Sequence, residues 1–217
     1  SLYPSVAAVG SYVYVAWEDN TFGNMEIFFK RSTDSGATWD STQRLTNNAG
    51  WSGDPSVAVS DSSVYVAWQD NTFGGNWEIF FKRSTDSGAT WESTQRLTYN
   101  AGTSNWPSVA VSGSNVYVAW HDSTFGNWEI FFKRSTDSGA SWGSAQRLTN
   151  NAGASSYPSI AAMGSNIYVA WNDDTFGNSE IFFKSSADSG SSWGSTQRLT
   201  YNTGTSMDPS VAAVGSY

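Results

Sequence analysis

The stretch Ser32-Thr33-Asp34-Ser35-Gly36-Ala37-Thr38-Trp39 decides the fold, because it returns as Ser84 to Trp91, as Ser135 to Trp142 and, slightly altered, as Ser186 to Trp193. Each copy follows S-x-D-x-G-x-x-W. An Asp carboxylate in that position can accept hydrogen bonds from backbone N–H groups two or three residues on. Gly permits a left-handed backbone angle, and Trp pins the turn to the strands beneath, so the pattern predicts a hairpin corner. Four such corners imply four copies of one unit. Chemistry seldom needs four equivalent sites, whereas a repeat fold needs four equivalent joints. Asp34, Gly36 and Trp39, Asp86, Gly88 and Trp91, Asp137, Gly139 and Trp142, and Asp188, Gly190 and Trp193 are therefore taken as structural.

The five prolines, Pro4, Pro55, Pro107, Pro158 and Pro209, each open a Pro-Ser-Val or Pro-Ser-Ile phrase, at steps of 51, 52, 51 and 51 residues. Gly74-Gly75 accounts for the longer step, where the other copies have a lone Gly. Fixed periods of about 40 to 50 residues mark propellers with four strands per blade. Within the first unit four strands can be placed: Ser5 to Val9 behind Pro4, Tyr12 to Trp17, Glu26 to Arg31, and a short one around Gln43-Arg44-Leu45-Thr46. Proline is tolerated where a strand begins, and Tyr-Val-Tyr-Val-Ala-Trp has the β-branched and aromatic content of a strand buried on both faces. No segment carries a 3.6-residue apolar period.

The expected class is thus all-β: a β-propeller of four-stranded antiparallel blades in a single domain over residues 1–217. Its repeats fall at about 4–54, 55–106, 107–157 and 158–208, with a partial fifth at 209–217. A four-stranded unit cannot cover its own two apolar faces, so each must pack on its neighbours. Pro209 to Tyr217 repeats Pro4 to Tyr12 letter for letter, which supplies a fifth first strand. Either four blades close with one strand spare, or the chain ends inside a longer propeller; self-association through the terminal strands is expected.

Over essentially its full length the pattern resembles the Asp-box, also called the bacterial neuraminidase repeat, of sialidase-like β-propellers. The resemblance implies that the loops joining strands two and three, and strand four to the next blade, share one face, with the Asp-boxes on the other. It also implies that any active site lies on the first of these faces, and an extracellular or cell-surface setting.

Composition narrows the function further. A chain that is 39% hydrophobic and 16% aromatic is a folded one, and no apolar run approaches the roughly 18 residues that span a bilayer. The net charge of −8 and a pI near 4.4 disfavour nucleic acid and anionic membranes as partners. Zero cysteines remove thiol chemistry and disulfides. The chain begins at Ser1 without a signal-peptide pattern, which is expected of a mature form, an excised domain or an engineered chain.

On the predicted loop face the copies differ where the strands do not. Glu18, Gln69, His121 and Asn172 follow the second-strand Trp; Tyr3, Asp54, Trp106, Tyr157 and Asp208 precede the proline; Met25, Trp77, Trp128 and Ser179 vary between loop and third strand. Sialidases use three arginines, a tyrosine–glutamate pair and an acidic aspartate. Here all eleven basic residues are repeat positions, so no arginine triad of unlike positions exists. A general glycosidase needs two unlike carboxyl groups, and Asp19, Asp70, Asp122 and Asp173 are equivalent. Glu18 and Asp174 break that equivalence, but each equally fits an exposed loop residue. The lone His121 fits a surface histidine. No cofactor or metal is expected, since the Asp19 to Asn24 loop lacks the spaced carboxylates of a calcium loop.

The expectation is a non-enzymatic, lectin-like module. Trp51, Trp77, Trp106, Trp128 and Tyr157 would stack on sugar rings, and Asp19, Asp70, Asp122 and Asp173 would hold hydroxyls. The partner is then a glycan or another protein. The alternatives are a glycosidase with a degenerate site and a structural or protein-interaction propeller.

Overall fold

The computed structural model describes residues 1–214 and consists of strands and turns only. The chain divides into two compact units, Ser1–Pro107 and Ser108–Tyr217. Each sheet is one repeat. The first comprises β1 (Leu2–Val9), β2 (Tyr12–Asp19), β3 (Glu26–Ser32) and β4 (Gln43–Arg44), and the second β5 (Ser52–Ser60), β6 (Ser63–Asp70), β7 (Glu78–Ser84) and β8 (Gln95–Arg96). The third holds β9 (Ser104–Ser112), β10 (Asn115–Asp122), β11 (Glu129–Ser135) and β12 (Gln146–Arg147), and the fourth β13 (Ser155–Met163), β14 (Asn166–Asp173), β15 (Glu180–Ser186) and β16 (Gln197–Arg198). Strands are hydrogen-bonded in chain order within every sheet, the propeller-blade meander.

The fourth strands are shorter than expected, two residues each, and the reason is local. Leu45 N–H still reaches Ile27 C=O at 2.8 Å, but the answering Ile27 N–H donates to the Thr46 side-chain hydroxyl, also at 2.8 Å. A side chain closes the ladder where a backbone carbonyl would continue it. The first strands break register at the proline, with shifts between Leu2 and Ser5, Gly53 and Ser56, and Ser156 and Ser159.

Within each unit the core lies between the two blades. In the first unit Tyr14, Ala16, Ile27 and Phe29 of one blade pack against Val57, Val64, Val66 and Trp68 of the next; in the second unit Tyr117, Ala119, Ile130 and Phe132 meet Ile160, Ile167, Val169 and Trp171. The Asp-box corners form as the sequence predicts. Asp34 Oδ1 accepts from Ser32 Oγ at 2.7 Å and Thr38 N at 2.8 Å, Oδ2 accepts from Thr38 Oγ1 at 2.6 Å, and Gly36 turns with φ of 88°. Those hydroxyl and amide donors hold the Asp34 carboxyl below its ordinary range, at about 2.

The corner of the second blade also clamps the first. Arg31 donates to Ser87 C=O at 2.9 Å, Gln43 Nε2 to Gly88 C=O at 2.8 Å, and Trp91 Nε1 to Gln43 Oε1 at 2.9 Å, while the Trp91 ring stands edge-on to Phe29. Gln146, Gly190, Trp193 and Phe132 repeat the arrangement in the second unit.

The partial fifth repeat keeps the blade-to-blade contacts of a first strand. Ser206 N donates to Ser179 C=O at 2.8 Å, as Ser155 N does to Trp128 C=O, and Val211 N donates to Ser159 Oγ at 3.1 Å, as Ile160 N does to Ser108 Oγ. No second strand pairs with it among the described residues, so it is extended chain without a ladder. Its last three residues lie outside the described ones.

Candidate functional site

The break in register before each proline fixes the site. Tyr3, Asp54, Trp106, Tyr157 and Asp208 all occupy the left-handed region, with φ between 46° and 55°. For bulky residues such as Tyr and Trp this conformation is strained, by roughly 1 to 2 kcal/mol, and persists only where the surroundings enforce it. At three of the five, a variable residue near the end of the preceding blade's second strand accepts the backbone N–H. Glu18 Oε2 accepts the Asp54 N–H at 2.9 Å, Gln69 Oε1 the Trp106 N–H at 2.9 Å, and His121 Nδ1 the Tyr157 N–H at 3.1 Å. At these three junctions two variable positions of the repeat are therefore coupled, the side chain of one bonding the backbone of the other.

In the first unit this brings together Glu18, Asp54, Gln69, Trp106 and Tyr3. Glu18 is 6% exposed and Gln69 is buried, and Gly53 leaves the room Glu18 needs, since a Cβ there would lie 2.5 Å from Oε2. Burial, and then the Glu18 charge, push the Asp54 carboxyl up to about 7, against a hydrogen bond with the Gln69 side chain that lowers it. Asp54 Oδ1 is shielded from solvent and has no hydrogen-bond partner. Beyond Gln69, the Trp106 ring meets Tyr3 edge to face at 5.6 Å.

In the second unit His121 is 3% exposed, a correction to the surface position expected from sequence. Its ring lies 4.6 Å from Trp128 and 5.5 Å from Tyr157, and burial lowers its pKa to about 3, with Asp122 opposing. The accepting Nδ1 fixes the neutral tautomer with the proton on Nε2. Asn172 occupies the same position in the fourth blade; it is 5% exposed and its Oδ1 has no partner.

The candidates chosen from sequence separate into two groups. Trp51 is exposed, Tyr157 borders on exposed, and Trp77, Trp106 and Trp128 are half-buried at the loop ends. By contrast, Asp70, Asp122 and Asp173 are buried and occupied. Asp70 accepts from Asn48, Ser52, Trp68 Nε1 and Thr72 N, and Asp173 from the equivalent Asn151, Ser155, Trp171 and Thr175. Burial alone would raise the Asp173 carboxyl, but those donors outweigh it and hold it low. Asp19 is hydrogen-bonded to Ser1 and Thr21 and is likewise held low. These carboxylates fasten loops. Sequence reasoning passed over Asp54 and Glu18 as a pair because 36 residues separate them and only the blade junction unites them.

The basic residues are committed to the scaffold. Arg44, Arg96, Arg147 and Arg198 pair with Glu26, Glu78, Glu129 and Glu180 at 2.7 to 3.2 Å, and Arg31 and Arg134 cap the neighbouring Asp-box. Among the described residues no three His, Cys, Asp or Glu side chains converge as metal ligands.

Blades with Asp-box corners on one side and coupled variable pairs on the other define a sialidase-like, Asp-box propeller class. The chain belongs to the BNR repeat-like domain family, whose model matches residues 11–212. Among solved structures it is similar to the Trypanosoma rangeli sialidase in complex with 2,3-difluorosialic acid, with a TM-score of 0.67 at 17% identity over 88% of this chain and 37% of that one. It is also similar to the NanB sialidase of Streptococcus pneumoniae, with a TM-score of 0.67 at 10% identity over 91% and 51%. A third is a Dyadobacter fermentans protein of unknown function, with a TM-score of 0.70 at 15% identity over 92% and 69%. The chain thus spans between about a third and a half of the two sialidases' length. At these identities the likeness concerns the fold. A comparison with the curated proteins finds no match.

Proposed function

We propose that the chain is a glycan-binding module whose loop face carries the binding groups, Trp128 and Tyr157, backed by the buried His121, in the second unit and Asp54, Trp106 and Tyr3 in the first. The observation that carries this reading is the coupling of variable positions: in an otherwise repeated scaffold, the residues that differ are those that touch, and each pair raises an aromatic or carboxyl group in a strained backbone conformation. Aromatic faces beside amide and carboxyl groups suit sugars. With the arginines of the fourth strands, Arg44, Arg96, Arg147 and Arg198, already paired with glutamates, this reading favours sugars other than carboxylated ones. An extracellular or cell-surface setting accords with it.

The test is a glycan array followed by titration monitored through tryptophan fluorescence. A hit whose affinity falls when Trp128→Ala or Tyr157→Ala is introduced supports the reading, and silence across neutral, amino and acidic sugars rejects it. A second reading, a glycosidase, is favoured by one observation: Glu18 and Asp54 are unlike carboxyl groups held together, one of them with a raised pKa. Turnover of fluorogenic glycosides that disappears in Asp54→Asn would select it over the lectin.

A further inference from the structure

The second-strand tryptophans Trp68, Trp120 and Trp171 are the buried ends of stacked columns that run out to the surface, and the half-buried Trp17 begins a like column in the first blade. In the fourth blade Trp171 stacks on Phe182 at 6.2 Å, Phe182 on Phe176 at 6.2 Å, and the Arg198 guanidinium lies 4.9 Å from the Phe176 centroid and 4.6 Å from that of Tyr201. The second blade repeats it as Trp68, Phe80, Phe73, Arg96 and Tyr99, with Arg96 4.5 Å from the Tyr99 ring. In the first and third blades the columns stop at Arg44 and Arg147, and Asn47 and Asn150 stand where the tyrosines would be. The tyrosines are 73% and 74% exposed, so their burial contributes little to the fold, yet each has one face fixed on a guanidinium that is itself tied to a buried glutamate.

Tyr201 borders a cavity of about 730 Å³ between the third and fourth blades, within the range of ligand sites. Its walls are unlike. Phe176, Arg198 and Tyr201 form an aromatic side, and the exposed Asn150 and Thr196 supply amide and hydroxyl groups. Its charges balance: Arg147 pairs with Glu129, Arg198 with Glu180, and Lys184, whose ammonium donates to Leu148 C=O, shares the wall with the Asp173 carboxylate.

We propose that this flank cavity binds an uncharged oligosaccharide, one pyranose ring stacking on the open face of Tyr201 and its hydroxyls meeting Asn150 and Thr196, and that Tyr99 offers the same platform in the first unit. The ring is held before the ligand arrives, so little rotamer freedom is lost on binding. Net neutrality of the walls leaves nothing to favour an anionic sugar. The site lies on the same set of loops but shares no residue with the His121, Trp128 and Tyr157 group, and it does not depend on that reading.

Isothermal titration of the full chain with cellohexaose, xylohexaose, mannohexaose and N-acetylchitohexaose, and with 3′-sialyllactose and hexagalacturonate as charged controls, tests it. At least one neutral hexasaccharide is expected to bind, to lose roughly tenfold or more in affinity with Tyr99→Ala/Tyr201→Ala, and to be retained by Tyr99→Trp/Tyr201→Trp. Both tyrosines are exposed, so the variants should melt like the parent, which a thermal scan checks. Absence of neutral-sugar binding, preference for the charged controls, or affinity unchanged in the double alanine variant overturns the proposal. Binding that survives that variant but vanishes with Trp128→Ala/Tyr157→Ala overturns it while leaving the loop-face reading standing, and the reverse pattern does the opposite.

Discussion

His121 Nδ1 accepts the backbone N–H of Tyr157 at 3.1 Å, and that tyrosine has a left-handed conformation, φ 54°, that its side chain disfavours. Glu18 and Gln69 do the same for Asp54 and Trp106, so an imidazole, a carboxylate and an amide are interchangeable as acceptors. It follows that His121→Gln keeps the bond and the fold. His121→Ala leaves a Tyr157 donor without its partner and should cost about 1 to 3 kcal/mol in urea or thermal unfolding. Equal loss in both variants would show that the ring's packing, and not its acceptor, matters.

The same histidine gives stability a pH dependence of known sign. Its imidazole takes a proton near pH 6.5 when unfolded but only near pH 3 when folded, because burial opposes the charge. Below about pH 6.5 the unfolded state binds more protons, so the His121 contribution is complete at neutral pH and is lost progressively as pH falls toward 3. Unfolding measured between pH 4 and pH 7 should therefore show a steeper loss in the parent than in His121→Gln.

Asp54 acts in the opposite direction. Its folded carboxyl titrates near 7 against an ordinary 3.8, by burial and then by the Glu18 charge, so the folded state holds the extra proton between those values. Stability from this group is complete below about pH 4 and is lost as pH rises through 7. Asp54→Asn should match the parent at pH 4 and exceed it at pH 8. Glu18→Gln should move the transition to lower pH, which a carboxyl-specific NMR titration of Asp54 would detect. A parent with no such rise in Asp54 would refute the coupling of the pair.

How much of this was legible follows from the range of each interaction. The Asp-box is written in the sequence because its side-chain hydrogen bonds span no more than four residues, joining Ser32, Asp34, Gly36 and Thr38. The strand positions were equally plain from period and residue type. His121 and the pair Glu18 and Asp54 were not, because burial at a strand end depends on the next blade, 36 residues away. Asp70 looked available to a ligand for the same reason, since its partners Asn48 and Ser52 come from the preceding loop. The fifth first strand was legible as sequence, and its docking on the fourth blade follows the other junctions.

Glycines that look equivalent in the repeat should respond unequally to substitution. Gly36 and Gly88 both turn with positive φ, 88° and 79°, so alanine at either costs about 1 kcal/mol in backbone strain. At Gly36 a Cβ meets nothing within 4 Å, whereas at Gly88 it would stand 2.8 Å from Phe29 Cζ, a ring end fixed in the core of the first unit. Gly88→Ala should therefore lose a further 1 to 3 kcal/mol or so through overpacking. Comparison of the two variants by denaturant unfolding measures the clamp between blades directly, and equal losses would mean that Phe29 yields.

The side-chain hydroxyl that ends each fourth strand supplies the last prediction. Thr98 is buried, and its Oγ1 accepts the Ile79 N–H at 2.8 Å while Leu97 N–H returns to Ile79 C=O at 2.7 Å, so one residue's two backbone groups are satisfied by a side chain and a main chain in turn. Thr98→Val has almost the same shape but no acceptor, and it leaves a buried amide unpaired, which costs about 1 to 3 kcal/mol. Thr98→Ser keeps the oxygen and loses only a methyl group, about 1 kcal/mol at most. Hydrogen exchange at Ile79 discriminates further: its amide should be protected in the parent and in Thr98→Ser and should exchange faster in Thr98→Val. Unaltered protection in the valine variant would mean that another acceptor replaces the hydroxyl and that the two-residue strand has a different cause.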